Sequence, residues 1–220
     1  MFDFDPTIAI GSSDAPNVTD HRPVPSAAFV VFKRAFDFVG ALLLLGAMLP
    51  VSLVLLVVNP IYNRGPLFFV QARMGKNCES FRAFKFRSML PAENVARGAF
   101  DLLEANRITP LGNLLRKSRI DELPQAINVL RGEMSLIGPR PDYFDHACIY
   151  LDQVPGYRER HCVRPGITGL AQTEIGYAEG IETVRKKVAA DLAYIHNRSI
   201  KLDLWITLRT IKVMVLRQGT

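Results

Sequence analysis

Between Phe38 and Val58 the chain carries no charged residue, and this run limits what the rest can become. It is long enough to cross a bilayer as one helix, which takes about 20 apolar residues. Lys33 and Arg34 precede it, and Arg64, Arg73 and Lys76 follow it, so both flanks have the sign expected of cytoplasmic segments. Pro50 stands in its middle, where a proline removes a backbone hydrogen bond and bends or breaks a helix. Two basic flanks and a central proline favour a hairpin that enters and leaves by one face; a plain single span is the alternative. A cleaved signal peptide fits poorly, because the preceding segment is long and acidic and no small-residue cleavage site follows.

Residues 1–28, rich in Pro, Ser, Asp and Thr without helical periodicity, read as a mostly disordered leader. The 220 residues are 49% hydrophobic and carry a formal charge of +6, which describes a basic surface on an apolar anchor. Such an excess of Lys and Arg points to a partner bearing phosphate: nucleic acid, an anionic membrane or a phosphorylated substrate. Cys78, Cys148 and Cys162 are too scattered for a disulfide framework or a zinc site and fit a reducing compartment.

The chemistry-bearing stretch is Ser118-Arg119-Ile120-Asp121-Glu122-Leu123-Pro124-Gln125. Leu123, Ile127 and Leu130 recur at helical spacing, so the spacing predicts a helix over about 121–131 that ends at Gly132. Pro124 is tolerated only near the start, which puts Asp121 where free N–H groups and the dipole favour an ionised carboxylate. Asp121, Gln125 and Asn128 then form a polar stripe opposite the leucines. An ordinary N-cap is the plain reading of Asp121; a nucleophilic carboxylate is the sharper one. Arg116 and Lys117 stand close enough to hold an anion against it, although Arg116 could equally pair with Glu122.

Upstream, residues 65–75 and 81–89 read as two strands of a hairpin, with Phe84 and Phe86 on one face and Lys85 and Arg87 on the other. Those two cations form either a solvated face or a phosphate contact. Residues 91–106 read as a surface helix or loop. Downstream, Gly138-Pro139-Arg140-Pro141 displays a guanidinium from a rigid turn, which suits bidentate phosphate binding. Val184, Val188, Leu192 and Ile195 mark a helix packed on the core, with Asp191, Tyr194 and Asp203 as polar-face positions or site residues. From Leu202 to Arg217, Trp205, Leu208, Ile211 and Val215 alternate with Arg209, Lys212 and Arg217, a basic amphipathic helix that lies on a membrane or is buried in the domain.

The ordered motifs Lys33-Arg34-Ala35-Phe36-Asp37, Gln71-Ala72-Arg73-Met74-Gly75, Lys85-Phe86-Arg87-Ser88-Met89, Asp121-Glu122-Leu123-Pro124-Gln125, Gly138-Pro139-Arg140-Pro141 and Arg164-Pro165-Gly166-Ile167-Thr168-Gly169 closely resemble the bacterial sugar transferase family, the monotopic phosphoglycosyl transferases. The resemblance covers roughly residues 30–218. Arg119 stands where the family often has leucine and Glu133 where aspartate is usual. Residues 173–180 lack the Asn-Gly-Arg often seen there, which leaves the donor sugar open.

The resemblance implies an α+β fold, mostly helical: a re-entrant membrane hairpin over residues 29–60 and a small cytoplasmic catalytic domain over 61–220, with a short β-hairpin and interfacial amphipathic helices. It implies transfer of sugar-1-phosphate from a UDP-sugar to undecaprenyl phosphate at the bacterial inner membrane, with Asp121 as nucleophile, release of UMP, and membrane lipids as further partners. Asp121 would hold Mg²⁺, which suits carboxylates and substrate phosphates without a Cys or His cluster, and Glu122 would help hold the metal or handle protons, two roles that the sequence does not separate. Arg116 and Arg140 would clamp phosphate, with Lys85, Arg87 and Arg164 as lesser candidates. The oligomeric state is left open. Two rival readings are a membrane scaffold without catalysis, against which the intact Asp121-Glu122 pair argues, and a nucleic-acid binder, which leaves the 38–58 run unexplained.

Overall fold

A computed structural model describes residues 25–90, 98–101, 104–175 and 180–215. The leader, most of the 91–106 stretch and residues 176–179 lie largely or wholly outside them. The first element, α1, runs Ala27–Tyr62, 36 residues capped by the Ser26 hydroxyl, and it continues through both Pro50 and Pro60. The Ser52 hydroxyl donates to the Met48 carbonyl at 2.8 Å beside the proline. The helix thus runs on through Pro50 without a break. Its outer side is bare: Leu43 and Val57 are 71% and 70% exposed, and Leu42, Leu49, Leu53, Val54 and Leu56 are exposed with them. Each such side chain left in water forgoes about 1.5–3 kcal/mol of burial, so this face needs an apolar surrounding.

The inner side of α1 grips the domain along its length. Near the start, Arg34 donates to the carbonyls of Val129 and Leu130 at 2.9 and 3.1 Å, and Asp37 accepts from Ser135 Oγ and the Leu136 N–H at 2.9 and 3.0 Å. Lys33 bridges Asp37 and Asp203 at 3.3 and 3.0 Å. Ala41 enters a buried cluster with Ala126, Val129 and Met134, while Leu55 enters another with Phe86 and Leu115. Just past the end, Asn63 donates to the Arg87 carbonyl and accepts from its guanidinium, both at 2.7 Å.

The hairpin is present as β1 (Phe68–Met74) and β2 (Ser80–Phe86), antiparallel with Phe68 opposite Phe86 and Met74 opposite Ser80. Then come α2 (Pro110–Lys117), capped by Thr109, a 3₁₀ turn at Ile120–Glu122, and α3 (Gln125–Arg131). β3 (Ser135–Ile137) pairs in parallel with β4 (Gly166–Thr168), and α4 (Phe144–Gln153) lies between them in sequence. The chain closes with α5 (Leu170–Glu174), α6 (Ile181–Asn197) and α7 (Ile200–Val215). The architecture is mostly helical with a β-hairpin, as expected, and adds a second, parallel two-stranded sheet that the sequence does not announce.

Two expectations change on contact with packing. Asp191, Tyr194 and Asp203 are buried rather than on a polar face: Asp191 pairs with Arg160 at 2.7 Å and Tyr194 donates to Asp203 at 2.8 Å. And α7 is neither wholly buried nor wholly superficial. Asp203 and Ile206 are sealed inside, while Ile200, Leu204, Leu208 and Ile211 form an exposed stripe.

Candidate active site

The acidic pair sits on a tight reversal. Arg119 adopts a left-handed backbone, φ 58° and ψ 13°, a conformation costing a residue with a side chain roughly 1–2 kcal/mol. It turns the chain out of α2 and into the 3₁₀ turn that carries Asp121 and Glu122. The helix predicted from residue 121 therefore starts as a 3₁₀ turn, with the α-helix proper beginning after Pro124. Its end is as predicted, at Gly132 with φ 79°.

The polar stripe faces inward. Asp121, Gln125 and Asn128 are buried, while Leu123, Ile127 and Leu130 are only half-buried, with Leu123 and Leu130 beside clusters that α1 helps to build. Asn128 accepts from the Phe84 N–H at 3.1 Å and donates to the Arg82 carbonyl at 2.7 Å, pinning α3 to β2. That brings Lys85 onto the acidic pair: Lys85 Nζ lies 2.7 Å from Glu122 Oε1, and Arg140 Nη2 lies 2.5 Å from the same oxygen. Arg119 approaches Glu122 Oε2 at 3.5 Å. No ion pair joins Arg116 to Glu122 among the described residues; that place belongs to Arg119.

Arg140 is held from behind. Arg160, buried at 3% exposure, donates to the Arg140 carbonyl at 2.8 Å and to Asp142 at 2.6 Å, and Tyr157 donates to Asp142 at 2.8 Å. The turn also rests on β1, where Arg73 donates to the Pro141 carbonyl at 3.0 Å. Gly138 and Gly166 let the two strand ends meet, since a Cβ on Gly166 would lie 2.1 Å from the Gly138 nitrogen. Arg73, Ala83, Lys85, Gln125, Arg140 and Pro141 line a small cleft that opens to solvent.

Electrostatics split the two carboxylates. Burial alone would raise Glu122, but the Arg140 guanidinium and the Lys85 ammonium hold it well below the ordinary carboxylate range. Burial pushes the Asp121 carboxyl up; Lys85 pulls it down and the Glu122 charge adds to the rise. This reverses the expectation that helix-terminal N–H groups govern Asp121, because desolvation outweighs them. Asp121 Oδ1 is buried and has no hydrogen-bond partner among the described residues. Lys85 is lowered by burial, against which Glu122 acts.

The remaining sequence candidates divide. Arg116 is half-buried and close enough to Asp121 to lower its pKa; its hydrogen-bond partner among the described residues is Met89 Sδ, at 3.8 Å. Arg87 is not on a solvated face beside Lys85: it lies past the strand end, 6% exposed, and serves the Asn63 carbonyl. Arg164 donates to the Gly132 carbonyl at 2.7 Å and so caps α3. Arg73 and Arg119 were overlooked as site residues. The hairpin register carries the missed signal, because Gln71 opposite Ala83 places Gln71 and Arg73 on the face that bears Lys85.

No group of three or more His, Cys, Asp or Glu side chains converges as a metal cluster among the described residues. Mg²⁺ needs only one or two carboxylates when substrate phosphates complete its shell. The partnerless Oδ1 of Asp121 fits that role. Glu122 fits it poorly, with Oε1 taken by two cations and Oε2 facing a third.

A buried carboxylate pair ringed by cations thus stands on a domain clasped by one long apolar helix. Residues 28–217 match the family model described as bacterial sugar transferase, and the chain belongs to that family. It is 39% identical over 192 residues to a UDP-N-acetylgalactosamine-undecaprenyl-phosphate N-acetylgalactosaminephosphotransferase of Aeromonas hydrophila, covering 87% of this chain and 45% of that protein. It is 40% identical to a UDP-glucose:undecaprenyl-phosphate glucose-1-phosphate transferase of Caulobacter vibrioides, covering 86% and 72%. It is 38% identical to the exopolysaccharide production protein PSS of Rhizobium leguminosarum bv. phaseoli, covering 83% and 94%. The chain thus spans under half of the first relative and nearly all of the third.

Proposed function

We propose that this protein transfers sugar-1-phosphate from a UDP-sugar to undecaprenyl phosphate, as an initiating step of exopolysaccharide-type assembly, through a covalent intermediate on Asp121. The observation that carries the reading is the partnerless, buried Asp121 oxygen beside a cleft walled by Lys85, Arg73 and Arg140. One carboxylate is locked by cations and its neighbour has an unpartnered oxygen, the kind of split that separates roles in paired-acid sites. A carboxylate oxygen of Asp121 attacks the β-phosphorus, and the bond from that phosphorus to the bridging oxygen breaks; UMP departs with that oxygen. An oxygen of the lipid phosphate then attacks the same phosphorus, the bond to Asp121 breaks, and the carboxylate is restored. Lys85, Arg140 and Arg73 neutralise the donor diphosphate, and Arg116 is left for the second phosphate. Mg²⁺ held by Asp121 would spread phosphate charge. The relatives' names divide between N-acetylgalactosamine and glucose, so the proposal stops at a UDP-sugar.

The hairpin reading of α1 belongs here too. A straight helix of this length spans roughly 54 Å and would carry its ends to opposite sides of a bilayer. Yet Arg34 and Asn63, at its two ends, both bind the same folded domain. That supports a helix dipping into the cytoplasmic leaflet of the inner membrane and returning, with the site at headgroup depth. Asp121→Asn is expected to abolish UMP release and lipid product while leaving the protein in the membrane fraction. Wild-type turnover in that variant would remove Asp121 as the nucleophile.

A further inference from the structure

We infer that Glu122 is a positioning residue that holds Lys85 and Arg140 against the cleft, and that it is not a metal ligand. The inference rests on the nucleotide-sugar reading above. Lys85 comes from β2 and Arg140 from the turn after β3, two elements far apart in sequence, and their charged groups meet on one oxygen, Glu122 Oε1. Two cations this close repel unless an anion lies between them. Glu122 supplies that anion from a side chain 4% exposed, and Arg119 occupies the side of its other oxygen. A divalent cation at Glu122 would have to displace these partners or sit among three positive charges. Both cations that Glu122 holds also line the cleft, while neither carboxylate is in its wall, so what separates the two carboxylates is their partners. The adjacent carboxylates therefore divide the work. Glu122 sets the geometry of the phosphate-binding cations, and Asp121 keeps an unpartnered oxygen for metal or substrate.

The roles separate in UDP binding with and without metal. Calorimetric titration of the full chain in detergent, with UDP as probe, is run in EDTA and in Mg²⁺ for wild type, Glu122→Gln, Lys85→Met and the double variant. A positioning role predicts that Glu122→Gln weakens UDP about tenfold by the same factor in both conditions. It also predicts that the double variant loses clearly less than the two single losses multiplied together, because the Lys85–Glu122 pair is common to both while the hold on Arg140 is lost only with Glu122. A loss confined to Mg²⁺, no loss in either condition, or full additivity overturns the inference. Glu122→Asp, which keeps the charge but cannot reach both cations, covers the case in which the amide variant does not fold: the same metal-independent loss is expected, and a Mg²⁺-dependent one contradicts it. A wild-type protein that binds no UDP at all would instead overturn the nucleotide-sugar reading, and this inference with it.

Discussion

His161 illustrates how a single buried group can set the protein's tolerance of acid. Its Nδ1 lies 3.0 Å from the Gly75 carbonyl, as suits a neutral ring with the proton on Nδ1, and Nε2 is buried without a partner among the described residues. Burial, helped by the nearby Arg160 charge, pushes its pKa down to about 4 from 6.5. Between those values the unfolded chain binds the proton and the folded one does not. Stability is therefore whole above about pH 6.5 and is lost as pH falls toward 4, by up to about 3 kcal/mol. His161→Gln should flatten that decline, read as the difference in urea midpoint between pH 7 and 5 for variant and wild type; parallel declines would contradict it. Residue identity was legible in the sequence where the chemistry was local, as at Asp121 and Arg140. It was not legible where burial decides. Arg87 looks like a partner of Lys85 by alternation, but it falls one position past β2 and turns to the end of α1. Burial also raises the Asp121 carboxyl, which a reading from helix position alone has the wrong way round.

Among the elements, α1 ties the exposed apolar face to the acidic turn. Its start caps α3, which follows the acidic pair, and its end braces the residue after β2, which carries Lys85. The length and apolarity of this helix are plain in the sequence; its grip at both ends is not, because Asn63 and Asp37 look like any polar flank until their partners are known. The same holds for α7, where the spacing shows an amphipathic helix but not that the buried face is built on Asp203 and Ile206 while leucines point outward. Pro50→Leu restores the missing backbone donor and favours a straight span. In a background lacking the native cysteines, a cysteine introduced at Ser26 should become reachable by an impermeant thiol reagent from outside the cell only in the Pro50→Leu chain. Equal protection in both chains would count against proline as the feature that keeps the helix on one side.

At the scale of the whole molecule, buried salt bridges and an apolar cluster built with the long helix α1 converge on one short turn. The 3₁₀ turn at Ile120–Glu122 has cations from β2, α2 and the turn after β3 around it, and apolar clusters built with α1 beneath it. This arrangement keeps a carboxylate buried beside groups that can neutralise phosphate, which is what the proposed function asks of it. Exposure to a UDP-sugar without lipid acceptor, followed by acid quench, trypsin and mass spectrometry, puts the covalent step to its most direct test. The expected result is a sugar-phosphate added to the peptide spanning residues 120–131 and lost when undecaprenyl phosphate is supplied. An unmodified peptide in a preparation that still makes lipid-linked product would contradict it.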